Sequence, residues 1–216
     1  MDKKILIELF IDEADKENGL DIISFVSAPA IEKDFMHFNS DVDKYKFKST
    51  DEEKRIVTGA VMIPNQEIIR LDAEGNPYFV FFTEETIEKA QEVFAKYGRT
   101  KATNTEHQEI ELQGATVVES WIVKDEKNDK SNALGFDVPA NTWMVSYKVD
   151  NDELWSKVKS GEVSGFSIEG VFSKNIVQMN EESVDELEQI ESLLSNDSLS
   201  EDEIYNKIAL IVSKLN

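Results

Sequence analysis

At 216 residues the chain has room for one globular domain with an appendage, or for two small ones. A formal net charge of −21 argues against nucleic-acid binding, which needs a basic surface, and the complete lack of cysteine excludes disulfides, thiolate metal sites and a cysteine nucleophile. No run of eighteen apolar residues exists to span a membrane, and the cysteine-free composition fits a reducing cytoplasm. The amino terminus has no long apolar core of the signal-peptide kind; residues 3–11 predict a first strand. After a polar turn ending in Asn18-Gly19, residues 21–27 predict a second strand, stopped at Pro29. Residues 39–53 read as a solvated linker, and residues 55–62 as a strand ended by Pro64.

Asn76-Pro77 turns the chain into a short buried strand at residues 78–82. Thr83 is placed to cap a helix whose apolar residues Ile87, Ala90, Val93, Phe94 and Tyr97 share one face, with Gly98 as its stop. Residues 106–112 and 115–123, separated by Gln113-Gly114, predict a hairpin. A charged loop follows at 125–130, then a strand at 143–149, an amphipathic helix at 150–160 ended by Gly161, and a glycine-interrupted strand at 163–172. The composition breaks near Lys174: from Ile176 to Asn216 there are ten acidic residues against two lysines. Val184, Leu187, Ile190, Leu193 and Leu194 form one helical stripe. Ser200 and Glu203 make a capping box before a second stripe of Ile204, Ile208, Ile211, Val212 and Leu215. The expectation is two amphipathic helices outside the main fold.

Ser167 is flanked by Gly161, Gly165 and Gly170 within one strand-like run. Glycine is unfavourable in a strand unless a bend or a close backbone approach requires it. A nucleophilic serine has both needs, and a plain β-bulge has them too. Only two histidines exist, His37 and His107. His107 lies in a polar stretch and is the candidate general base, while His37, among aromatic residues, reads as packing or surface. The third member is sought among Glu119, Glu169, Glu106 and Asp21. Glu119, amid apolar residues on the partner strand of the expected hairpin, is the preferred group to orient His107, provided a bulge brings it into register. One histidine with scattered carboxylates lacks the ligand spacing of a metal site.

Several blocks together resemble the XkdF-like branch of phage prohead serine proteases over nearly residues 1–175. They include Ile23-Ser24-Phe25-Val26-Ser27-Ala28-Pro29-Ala30-Ile31-Glu32, Gly59-Ala60-Val61-Met62-Ile63-Pro64 with Ile69-Arg70, and Tyr78-Phe79-Val80-Phe81-Phe82-Thr83-Glu84-Glu85-Thr86-Ile87-Glu88. Further on come Glu119-Ser120-Trp121-Ile122-Val123, Asn141-Thr142-Trp143-Met144 and Gly161-Glu162-Val163-Ser164-Gly165-Phe166-Ser167-Ile168-Glu169-Gly170.

The resemblance implies an α+β fold, a mostly antiparallel, herpesvirus-protease-like β-barrel with flanking helices over 1–175, followed by an acidic helical tail at 176–216. It also implies a serine endopeptidase that processes scaffold and major capsid proteins inside the assembling prohead in the host cytoplasm. Ser167 would be the nucleophile and His107 the base, with no cofactor, metal, nucleic acid or membrane involved and homo-oligomerisation left open. The rival reading is a non-catalytic capsid-assembly protein that keeps the protease fold. In better-studied prohead proteases an acidic residue just precedes a Ser-x-Val-x-x-Pro-Ala segment downstream of the nucleophile. Here that segment lies upstream, and Ile22 occupies the corresponding position, beside Asp21. The herpesvirus enzymes use a second histidine instead, for which only His37 is available.

Overall fold

The structure is a computed structural model that describes residues 5–12, 14–15, 18–27, 46–72, 75–108 and 112–178. His37 and the two expected tail helices lie outside the described residues. The described chain is α+β, with ten strands and few helices. The strands group into two four-stranded sheets and one strand pair, so the closed barrel expected from the resemblance does not form among the described residues.

The first sheet has the order β10 (Ser173–Gln178), β1 (Leu6–Phe10), β6 (Pro77–Phe82), β5 (Ile68–Leu71). Its β1 and β6 run parallel while the other pairs are antiparallel. The second sheet has the antiparallel order β3 (Lys48–Asp51), β4 (Ile56–Met62), β8 (Trp143–Val149), β7 (Ala115–Ile122). Here β3 falls within the stretch expected to be a linker; as a polar edge strand it carries no apolar alternation to betray it. Strand β8 is central and covered on both faces, as its nearly continuous apolar run suggests. Trp143, Val145, Tyr147 and Val149 enter the main core, while Met144 joins a smaller one with Ala60, Val123 and Phe136.

Helix α1 (Glu84–Lys96) forms where its spacing predicts. The Thr83 side chain accepts from the Thr86 amide, Glu84 and Glu85 sit favourably in the first turn, and Gly98 adopts φ 67° beyond the end. Its buried face of Ile87, Ala90, Val93 and Phe94 lies against β2 (Gly19–Val26) and β8. Among the described residues there are also the short α2 (Lys130–Ala133) and α3 (Asp152–Ser160), the latter capped by Asn151 and stopped by Gly161 at φ 75°, and a 3-10 turn at Arg99–Lys101.

Among the described residues, which leave out 109–111, the expected hairpin at 106–123 is not present. Strand β7 pairs with β8, and residues 105–108 form a turn instead of its partner strand. Strand β10 runs on to Gln178, past the expected domain boundary at residue 175, with Ile176 and Gln178 paired to Ile7 and Leu6.

Candidate active site

The site is built on the antiparallel pair of β2 and β9 (Gly165–Val171), where Ser24 lies opposite Ser167 and Ile22 opposite Glu169. Directly opposed residues share a face, and so do residues two apart on one strand. Ser24, Ser167 and Glu169 therefore occupy one face, and Phe25 and Phe166 the other. Those two rings sit 5.2 Å apart and both pack edge-on or tilted against Tyr147. The aromatic face anchors the pair in the core and leaves the polar face to the site.

A third segment, residues 102–106, runs beside the free edge of β2. The Ile23 amide donates to the Ala102 carbonyl at 3.3 Å, Phe25 to Asn104 at 2.9 Å, and Glu106 in return to Phe25 at 3.0 Å. At its end the chain turns sharply, with Glu106 at φ 51° and His107 at φ 53°. Two successive left-handed non-glycine residues are unfavourable by about 1–2 kcal/mol each. Such strain persists only where surrounding contacts hold it.

Those contacts converge on Glu169. His107 Nδ1 lies 2.9 Å from its Oε1, and the Ser24 hydroxyl and the Asn104 amide each donate to the same oxygen at 2.7 Å. Ser24 Oγ is also 3.3 Å from His107 Nδ1. Burial raises the Glu169 pKa, but the bonds from Ser24, Asn104 and His107 outweigh it and hold the carboxyl below the usual glutamate value. An ionised carboxylate can only accept, so His107 Nδ1 carries the proton of this contact. The neutral ring then keeps a bare lone pair on Nε2, which is buried and has no hydrogen-bond partner among the described residues. That is the state in which an imidazole can take a proton. Ser24 is fully buried, whereas Ser167 is 9% exposed and its hydroxyl has no hydrogen-bond partner among the described residues.

The other carboxylates considered from sequence are engaged elsewhere. Glu119 lies on β7, half exposed, and accepts from Lys130 and, at 2.9 Å, from Ser146; those bonds hold its carboxyl below the usual glutamate value. It is not brought to His107: its strand pairs with β8, and its carboxylate meets Lys130 and Ser146 instead. Asp21 pairs with Arg99 at 2.6 Å, and Glu106 accepts from the Ser27 amide at 2.5 Å. Glu169, weighed from sequence but not preferred, is the carboxylate beside the histidine. Sequence reasoning missed Ser24 and Asn104. Ser24 had one signal, its place in the Ser-x-Val-x-x-Pro-Ala segment, and Asn104 had none. Glu169 stands across the strand pair from Ile22, the position where the resemblance had led to an acidic residue. The acid is thus on the neighbouring strand at the same level.

A cleft of about 410 Å³ lies beside the histidine turn, lined among others by Thr105, Glu106, Gln108, Leu154 and Val163. Neither this cleft nor a larger cavity of about 620 Å³, between β1, β10 and α1, is lined by Ser167, His107 or Glu169. No group of three or more His, Cys, Asp or Glu among the described residues could hold a metal ion.

Residues 41–176 match the model of a family described as "Putative phage serine protease XkdF". The chain is also similar to the phage-like element PBSX protein XkdF of Bacillus subtilis (strain 168), with 27% identity over 169 residues. That alignment covers 77% of this chain and 52% of the relative, so the chain spans about half the length of the curated relative it matches. No solved structure matches it.

Proposed function

From the premise that the chain belongs to the phage serine protease XkdF family, we propose that it is a serine endopeptidase acting through Ser167, His107 and Glu169. The observation that carries this reading is the 2.9 Å contact of His107 Nδ1 with Glu169, two residues from Ser167 on the same face of β9, while Nε2 has no hydrogen-bond partner among the described residues. Glu169 takes the orienting role that sequence reasoning had given to Glu119. Ser167 is the nucleophile because Ser24, the other hydroxyl on this face, is fully buried and donates its proton to Glu169.

In the reaction His107 Nε2 removes the Ser167 hydroxyl proton as Oγ attacks the carbonyl carbon of a peptide bond. Collapse of the tetrahedral intermediate breaks the C–N bond, and the imidazolium returns the proton to the leaving amine. Water then attacks the acyl-enzyme by the same proton route, releasing the acid and restoring the serine. Glu169, held ionised, stabilises the imidazolium formed in both halves.

The substrates in this reading are the scaffold and major capsid proteins of a phage prohead, cleaved inside the assembling shell in the host cytoplasm. The family membership supports that setting. The herpesvirus-protease likeness belongs to the same proposal, and its support is the α+β architecture with mostly antiparallel strands.

A fluorophosphonate probe tests the reading on the full chain. The expected result is one covalent adduct on the peptide containing Ser167, absent in Ser167→Ala and in His107→Ala. A wild-type chain that stays unlabelled would overturn it in favour of a non-catalytic assembly protein.

A further inference from the structure

We propose that Ser24 and Asn104 are positioning residues that fix His107 in the one tautomer the reaction can use. The kinetic consequence rests on the hydrolase reading above, whereas the structural consequence does not.

Three donors meet on a single oxygen of Glu169: Ser24 Oγ at 2.7 Å, Asn104 Nδ2 at 2.7 Å and His107 Nδ1 at 2.9 Å. Ser24 is fully buried and Asn104 is 2% exposed, so neither donor has bulk water as an alternative partner. With two fixed donors already on Oε1, the carboxylate cannot turn about its last bond without breaking both. The same fixed oxygen faces the imidazole Nδ1 at 2.9 Å. The Ser24 hydrogen being committed to Glu169, its lone pairs face Nδ1 across 3.3 Å and offer that N–H a second, weaker acceptor. Both contacts favour the Nδ1–H tautomer, which leaves the lone pair on Nε2.

Asn104 does a second thing. Its amide nitrogen also donates to the Gln108 carbonyl at 2.9 Å, across the left-handed turn that carries His107. One side chain thus ties the carboxylate to the backbone that presents the imidazole. Without it the turn has fewer contacts opposing its relaxation to ordinary dihedrals.

The experiment uses ¹⁵N NMR of the His107 ring in the full chain, with His37→Gln in every sample so that one histidine signal remains. Spectra are taken at about pH 8.5, above the ordinary histidine range. The variants are Ser24→Ala, Asn104→Ala and Ser24→Cys, the last conserving volume while supplying a poor donor. The unmodified site is expected to show a single Nδ1–H tautomer. The folded variants are expected to show a mixture, and to react with the fluorophosphonate about ten- to a hundredfold more slowly, the loss of one charge-assisted hydrogen bond. An unchanged Nδ1–H tautomer in the folded variants overturns the proposal, even where labelling shows that the hydrolase reading holds. If nothing labels while the tautomer shift is seen, the positioning role stands and the hydrolase reading falls.

Discussion

Glu169 Oε1 accepts from Ser24, Asn104 and His107, and these bonds outweigh the burial that would otherwise raise its pKa. A carboxyl whose folded pKa lies below its unfolded one stabilises the fold at every pH above the ordinary glutamate value of about 4.3, and that contribution fades as pH falls through the lowered value. Thermal unfolding of wild type and Glu169→Gln should therefore differ most near neutrality and converge in acid. In turnover, Glu169→Gln is expected to lose about 10³–10⁴-fold in kcat, as when the acid of a triad is neutralised, with the fold kept. Glu119→Gln is expected to alter stability by no more than about 0.5 kcal/mol and to leave turnover near wild type, because its partners are Lys130 and Ser146 at a half-exposed position. Peptide cleavage by these two variants decides which glutamate orients His107. Ser167→Ala and His107→Ala should each remove at least about a thousandfold of the rate, since such residues act as a unit. Ser164→Ala, whose hydroxyl donates to the Ser27 carbonyl, should be mild. Rarity and glycine context were enough to single out His107 and Ser167 as candidates in the sequence. The choice among the carboxylates was not legible there, because it depends on strand register, which a single misassigned hairpin is enough to spoil.

At the scale of elements, one glycine of the serine segment has a structural reason. The register of β2 against β9 shifts between Leu20 and Ile22, and there the two backbones approach closely. A Cβ added to Gly170 would sit 2.2 Å from the Gly19 carbonyl oxygen and 2.9 Å from Leu20 Cα, both backbone atoms. Gly170→Ala should therefore destabilise the protein by about 1–3 kcal/mol, measured by denaturant unfolding, and disturb Glu169 next to it. Elements with strong local patterns, such as α1 and the central β8, were readable from spacing alone. The short edge strands β3, β5 and β10 were not. Each has four to six residues, with polar content or no alternation, and is a strand only because a distant partner presents a free edge.

At the scale of the molecule, the β1–β10 pairing moves the place where the chain can be cut. Asn175, Ile176 and Gln178 pair with Glu8, Ile7 and Leu6. A truncation after Lys174 removes these pairs, whereas one after Gln178 keeps them. The longer fragment is expected to melt several degrees above the shorter one and to retain peptide cleavage. If residues 179–216 serve only to bring the protein to its partners, that longer fragment loses entry into proheads and nothing else. Unfolding of the fragment ending at Gln178 would make those residues part of the fold.

The strand pair at the heart of the site joins residues 19–26 to residues 165–171, with the histidine turn supplied from residues 105–108. Chain length alone therefore imposes a delay. Residues 165–171 must clear the ribosome before Glu169 can meet Ser24, so a shorter nascent chain lacks the contact that orients the His107 ring. Contacts this distant in sequence also form late and slowly once the chain is free. Assembly of the site is therefore delayed by an interval that folding itself sets.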